Sequence, residues 1–157
     1  MTLKSVTGQT VVELSNPDGD GELSRGGGCC NPLEIGVKCL DHFMGSIYLS
    51  SYVFRPIFVI MDKDHIPLMK LKGPSQLMHF VCCAGQSLHY ELTDLETRKP
   101  DGNVRGKACF PPLLGAVEPT VEVDLRQEID SIKKVLALAA GFFIGDLYTH
   151  EHYGPIS

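Results

Sequence analysis

Ser131-Ile132-Lys133-Lys134-Val135-Leu136-Ala137-Leu138-Ala139-Ala140-Gly141-Phe142-Phe143-Ile144 is the stretch whose reading decides how this chain folds. Asp130 or Ser131 can cap a helix start there, and Lys133 and Lys134 are polar first-turn residues. From Val135 to Ile144 the helix is apolar on every face, the pattern of a helix enclosed by a protein core or by a membrane. Stretched through Leu147 and Tyr148, and broken by Gly145-Asp146, the apolar run still falls short of the roughly 20 residues a bilayer needs. The spacing predicts a core helix over about 131–148. Val135, Leu136, Leu138, Phe142, Phe143 and Ile144 are its core or membrane residues.

Everything upstream reads as short strands. Val6 to Leu14, Leu33 to Val37, Met44 to Leu49 with Ser51 to Phe54, and Ile57 to Met61 are strand candidates. Asp62-Lys63-Asp64-His65 is a tight turn that returns the chain along Ile66 to Leu71. Met78 to Cys83 and Ser87 to Asp94 read as a hairpin around Ala84-Gly85-Gln86. Pro100-Asp101-Gly102-Asn103 is a further turn signal ahead of Val104 to Cys109. Thr120 to Leu125 alternates cleanly between apolar and polar residues. Asn16 to Gly28, with its Pro, Asp-Gly and triple Gly as breakers, opens a loop over 16–32. A single domain over 1–157 is expected.

Composition narrows the function classes. Apolar content of 43% and charged content of 21% belong to a globular chain. A net charge of −5 with scattered Lys and Arg argues against nucleic acid as a partner. The start, Met1 to Val6, has no apolar core of signal-peptide length, so synthesis in the cytosol and six reduced cysteines are expected. No C-x-x-C pair occurs. No phosphate loop and no Ser-His-Asp order occur, so covalent catalysis is not expected.

The order of motifs carries a resemblance. Gly8-Gln9-Thr10-Val11-Val12-Glu13-Leu14 is followed by Cys29-Cys30, Leu33-Glu34-Ile35, Gly45-Ser46-Ile47 and Leu71-Lys72-Gly73-Pro74. Cys82-Cys83, Tyr90-Glu91-Leu92, Gly106-Lys107 and the terminal apolar helix with Asp146 and Glu151 come next. Each motif is weak alone, but their order over Gly8 to Glu151 resembles the phospholipid scramblase family. The resemblance implies a tubby-like fold, a closed antiparallel β-barrel threaded by one hydrophobic C-terminal helix. Barrel closure removes sheet edges. The family's barrel begins well upstream of the Gly-Gln segment, so this chain is expected to be short by several strands. It would then be a partial product or isoform, or a reduced paralogue with an incomplete barrel.

The resemblance also implies sites. The family's acylated cysteine segment matches Cys29 and Cys30, and two acyl chains would anchor a chain that one would not. The family's calcium segment falls just before the helix, where Glu118, Glu122, Asp124, Glu128 and Asp130 are the candidate Ca2+ ligands. The family's Asp-x-Asp start is missing there, and Glu122 and Asp124 equally fit the wet face of a strand. Asp62 and Asp64 read as turn residues, and His150-x-His152 lacks a third metal ligand.

The function implied is calcium-dependent, ATP-independent, bidirectional phospholipid movement at the cytoplasmic face of the plasma membrane. The partner is then a phospholipid membrane, with homo-oligomers and protein partners left open. The alternative is a membrane-tethered lipid- or protein-binding adaptor, or a truncated inactive paralogue. A phosphoinositide-binding version would need Lys63, Lys70, Lys72, Arg98, Arg105 and Lys107 to converge on one face.

Overall fold

The structure, a computed structural model, describes residues 2–4, 10–15, 34–51, 55–74, 87–107 and 120–153. Nine strands follow one another: β1 (Thr2–Lys4), β2 (Thr10–Ser15), β3 (Glu34–Cys39), β4 (His42–Ser51), β5 (Ile57–Asp62), β6 (Pro67–Lys72), β7 (Ser87–Asp94), β8 (Pro100–Lys107) and β9 (Thr120–Leu125). One helix, α1 (Ser131–Tyr153), ends the described chain. All nine strands form one sheet in sequence order, each antiparallel to the next. Among the described residues β1 and β9 do not pair, so the sheet curls into a partial barrel. The architecture is mainly β, antiparallel, with one C-terminal helix, as the sequence leads one to expect.

Alternation along each strand puts one set of side chains inside. Cross-strand partners line up Ile35, Ile47, Ile60 and Met69 in one inner row. A second row runs Leu49, Phe58, Leu71, Leu92, Gly102 and Leu125. A third joins Tyr90, Val104 and Val123. Ile35, Ile47, Ile60, Met69, Leu71, Leu92 and Val104 are fully buried. Leu136, Ala137, Ala139, Ala140, Phe143 and Ile144 of α1 complete this core. Phe143 meets Phe58 edge-on, with centroids 6.1 Å apart and planes at 87°, a favourable aromatic arrangement.

The helix lies close against β9 because it is smooth where the two meet. A Cβ on Gly141 would come 2.5 Å from Val123 Cγ2, and one on Gly145 2.5 Å from Val121 Cγ2. Ala137, Gly141 and Gly145 recur every four residues and so share one helix face. The helix is not enclosed all round. Leu138 is 47% exposed, Val135 and Phe142 are half-buried, and only Leu136, Phe143 and Ile144 of the six expected core positions are fully inside. An open sheet covers one side of a helix, whereas a closed barrel would cover all of it. The helix also runs past Tyr148 to Tyr153.

Two further expectations shift. The turn placed at Pro100-Asn103 falls earlier, at residues 95–99, and Pro100 begins β8. Asp94 makes the turn, its Oδ1 accepting from the Glu96 and Thr97 N–H groups at 2.7 and 3.0 Å. Proline is tolerated as a first strand residue, so it did not mark the bend. Ile66 belongs to the β5–β6 turn, and the return strand starts at Pro67. There Asp62 Oδ1 accepts from the Asp64 and Ile66 N–H groups, each at 2.9 Å. The Met78–Cys83 strand, Val6–Gln9 and the loop at 16–32 lie outside the described residues.

Candidate functional site

The inner row Ile35–Ile47–Ile60–Met69 ends on a carboxylate. Met69 pairs across the sheet with Asp94, which is buried although its row is otherwise apolar. Alternation in β7 forces Asp94 inward with Tyr90 and Leu92. Its Oδ1 takes the two turn N–H groups, and its Oδ2 accepts from Lys133 Nζ in the first turn of α1. Glu96 Oε2 lies 3.9 Å from the same ammonium. The Lys133 hydrogen bond, aided by the N–H groups and resisted by burial, holds the Asp94 carboxyl at about 2. Lys133 is pushed up by the same hydrogen bond. Asp101, at the start of β8, is pushed the other way: burial raises its carboxyl, and the Asp94 charge raises it further.

A charged first turn explains itself in this geometry. Lysines at a helix N-terminus oppose the helix dipole, and α1 has no acidic residue in its first turn. Lys133 is answered by Asp94, and Lys134 Nζ donates back to the Gln127 carbonyl at 2.8 Å. Asp130 Oδ2 accepts from the Ile132 N–H at 3.0 Å and caps the helix. The cluster ties the helix start to the β7–β8 hairpin. Asp94 stays ionised throughout the neutral range, so it cannot serve there as a general acid. The sequence held one signal for this site, a lysine where the helix dipole disfavours it, and its partner lay 39 residues away.

The calcium candidates do not gather. Glu122 and Asp124 are exposed on the outer face of β9, opposite Arg105 and Asn103. Glu128 is exposed in the turn before α1, and Asp130 is engaged as the cap. Glu118 lies outside the described residues. Among the described residues no three His, Cys, Asp or Glu side chains come together to hold a metal ion. The four carboxylates that are placed do not fit a shared calcium ion. Cys29 and Cys30 lie outside the described residues.

The described basic side chains, which do not include that of Lys107, do not build one groove. Lys70, Lys72 and Arg105 share the outer face, flanking buried residues of β6 and β8. Glu91, Glu122 and Asp124 are interleaved with them on that face. Lys63 and Arg98 sit in the β5–β6 and β7–β8 turns. Elsewhere on the sheet, Glu34 Oε1 lies 3.7 Å from His65 Nδ1.

Among known proteins, no family model, no curated protein and no solved structure matches this chain. The class that the fold defines is therefore structural: a partial antiparallel β-barrel holding one apolar C-terminal helix, clasped at its start by a buried ion pair. No described helix is long and apolar enough to cross a membrane.

Proposed function

We propose that this chain is a membrane-associated, lipid-handling protein of the phospholipid scramblase kind. It would mediate ATP-independent, bidirectional phospholipid movement from the cytoplasmic face of the plasma membrane. The observation that supports this reading is a consecutive antiparallel meander curled on a single apolar C-terminal helix, in the element order of the motifs that carry the resemblance. Scrambling makes and breaks no bond, so it needs no nucleophile or base. It needs a polar route for headgroups through hydrocarbon, where an unsatisfied polar group costs several kcal/mol. One copy with α1 seated supplies no such route among the described residues, because the inner face is apolar outside the Asp94–Lys133–Asp101 cluster. Movement of lipid would therefore require release of the helix or assembly of several copies.

Tethering in this proposal rests on acylation of Cys29 and Cys30. Calcium dependence enters only through the resemblance, and no step is routed through the ion. The experiment is a lipid-flip assay in reconstituted vesicles, using a fluorescent phospholipid quenched from outside, with and without calcium. Loss of protection of the inner leaflet in protein-containing vesicles is the expected result. Full retention of inner-leaflet fluorescence by stably inserted, folded protein would sink the scrambling activity. Cys29→Ser with Cys30→Ser should release the protein from cell membranes into the soluble fraction.

The alternative, a membrane-tethered lipid- or protein-binding module, is favoured by the clasp at Lys133, which holds the helix in place. Vesicle binding without lipid movement is its signature. The alternation of Lys72 and Arg105 with Glu91 and Glu122 speaks against a phosphoinositide groove on the outer face.

A further inference from the structure

Each strand of the sheet is antiparallel to the next and the strands number nine, so β1 and β9 run in the same direction. Joining these two edges would not complete an antiparallel ladder. An antiparallel strand added beside β9 would extend it. The groups such a strand would meet follow from one hydrogen bond. The Arg126 N–H donates to the Asp101 carbonyl at 3.0 Å, and bonded pairs alternate along an antiparallel ladder. In the β8–β9 register the bonded pairs are then Asn103–Asp124 and Arg105–Glu122. The N–H and C=O groups of Val121, Val123 and Leu125 point the other way, along the edge, and no described strand receives them.

The uncovered side of α1 opens beside this edge. Gly141 faces Val123 of β9. At 3.6 residues per turn, Leu138, Phe142 and Val135 stand about 60°, 100° and 120° round the helix from Gly141, all on one side. Leu138 is 47% exposed and the other two are half-buried. The opposite way round, Ala137, Ile144, Ala140, Leu136 and Phe143 are all buried, as far as Phe143 against Phe58 of β5. The sheet from β9 to β5 covers that arc. The apolar stripe therefore looks out past β9, with Lys134 and Asp146 at its two ends.

We propose that β9 takes up an extended peptide segment of a partner protein as a further antiparallel strand. Residues opposite Val121, Val123 and Leu125 bond to the free edge and turn their side chains inward, so they are apolar and cover the helix stripe. Residues opposite Glu122 and Asp124 turn outward in the narrow, unbonded pairs, where side chains come closest. Glu122 and Asp124 form no ion pair among the described residues. Their neighbours on β8 are Arg105 and the neutral Asn103, and Arg126 is exposed past the strand end. Lysine or arginine thus fits the outward positions of the partner. A second copy of β9 would set carboxylate against carboxylate in registers that match Val123 with Val123 or Glu122 with Glu122. The inference goes beyond the lipid-handling reading and does not rest on it.

The probe is a capped, fluorescently labelled octapeptide that alternates valine and lysine, titrated against the full chain by anisotropy. One control carries glutamate for lysine, and another carries methyl groups on its valine nitrogens. Saturable binding of the lysine peptide is expected, with a loss of about tenfold or more on methylation. Amide exchange at Val121, Val123 and Leu125 should slow in the complex. Glu122→Lys with Asp124→Lys should reverse the preference to the glutamate peptide by several-fold. Leu138→Asp should weaken binding with unchanged circular dichroism. If a variant does not fold, methylation and amide exchange on the parent chain decide. Equal binding of methylated and unmethylated peptide would mean attraction by charge alone and overturn strand addition. Failure of the folded chain to bind the lysine peptide at millimolar concentration overturns it too. Protection at these amides without peptide, growing with protein concentration, would assign the edge to a second copy and overturn the partner. None of these outcomes bears on the lipid-flip assay, which tests the scramblase reading separately.

Discussion

At the scale of single residues, the pair of Asp94 and Lys133 carries the largest electrostatic consequence. Removing one member of a buried ion pair strands the other, at a cost of about 3–5 kcal/mol. Lys133→Met is expected to lose that much in urea denaturation. Adding Asp94→Asn should recover most of it, because the amide oxygen still accepts the turn N–H groups. Equal losses in the single and double variants would mean that packing rather than charge is at stake. Asp94 also sets an acid limit. Its folded pKa, about 2 against the ordinary 3.8, is depressed. Its stabilisation is therefore present above about pH 4 and lost as pH falls towards 2, amounting to about 1–2 kcal/mol after allowance for screening. Asp101 works in the opposite sense. Its raised pKa means that its charge opposes folding at neutral pH and that protonation relieves the penalty. Asp101→Asn should raise the midpoint of denaturation at pH 7 and bring no gain at pH 3. A gain that persists in acid would show that the benefit is not electrostatic. Beyond a lysine where the helix dipole disfavours it, this cluster was not legible in the chain, because Asp94 read as the last residue of a strand and Lys133 as a polar first-turn residue.

Among the elements, α1 shows how far a pattern can be read. The apolar run Val135 to Ile144 announces a helix seeking burial. Being apolar on every side, it cannot say which side is buried. The contact with β9 settles that, through Gly141 against Val123 and Gly145 against Val121. Gly141→Val should destabilise by about 1–3 kcal/mol, since the added carbons meet a short β-branched neighbour that cannot swing away. A melting temperature at or above that of the parent would contradict the close helix–strand approach. Two leucines two positions apart, and so on opposite sides of the helix, should behave differently. Leu136→Ala removes buried carbons and should cost about 2–5 kcal/mol, whereas Leu138→Ala, half-exposed, should stay within about 1 kcal/mol. Similar losses at both would point to a closed barrel or a partner over Leu138. For the strands, β5, β7 and β9 were legible because alternation and length are local properties. The β7–β8 turn was not, because a side chain of Asp94 shapes it and Pro100 merely follows.

For the whole molecule, the open sheet is what links fold to proposed activity. A partial barrel leaves one side of an apolar helix uncovered, so the helix has less to lose on leaving its seat than it would inside a closed barrel. Lys133→Met, which loosens the clasp, is then expected to increase the carbonate-resistant fraction in vesicle flotation over the parent chain. An unchanged fraction, with stability reduced as above, would separate the clasp from membrane behaviour. The amino-acid sequence by itself determined the class of elements: strands by alternation, one terminal helix by its apolar run, and antiparallel neighbours where a tight turn such as Asp62–His65 joins two strands. These follow from near-neighbour chemistry, which is written along the chain. Tertiary structure alone decided that, among the described residues, the sheet stays open, that Leu138 faces outward, that the described acidic residues before the helix do not meet, and that Asp94 and Lys133 do. Each of these depends on which distant residues the curvature of the sheet brings within a few ångströms, and no local pattern encodes that distance.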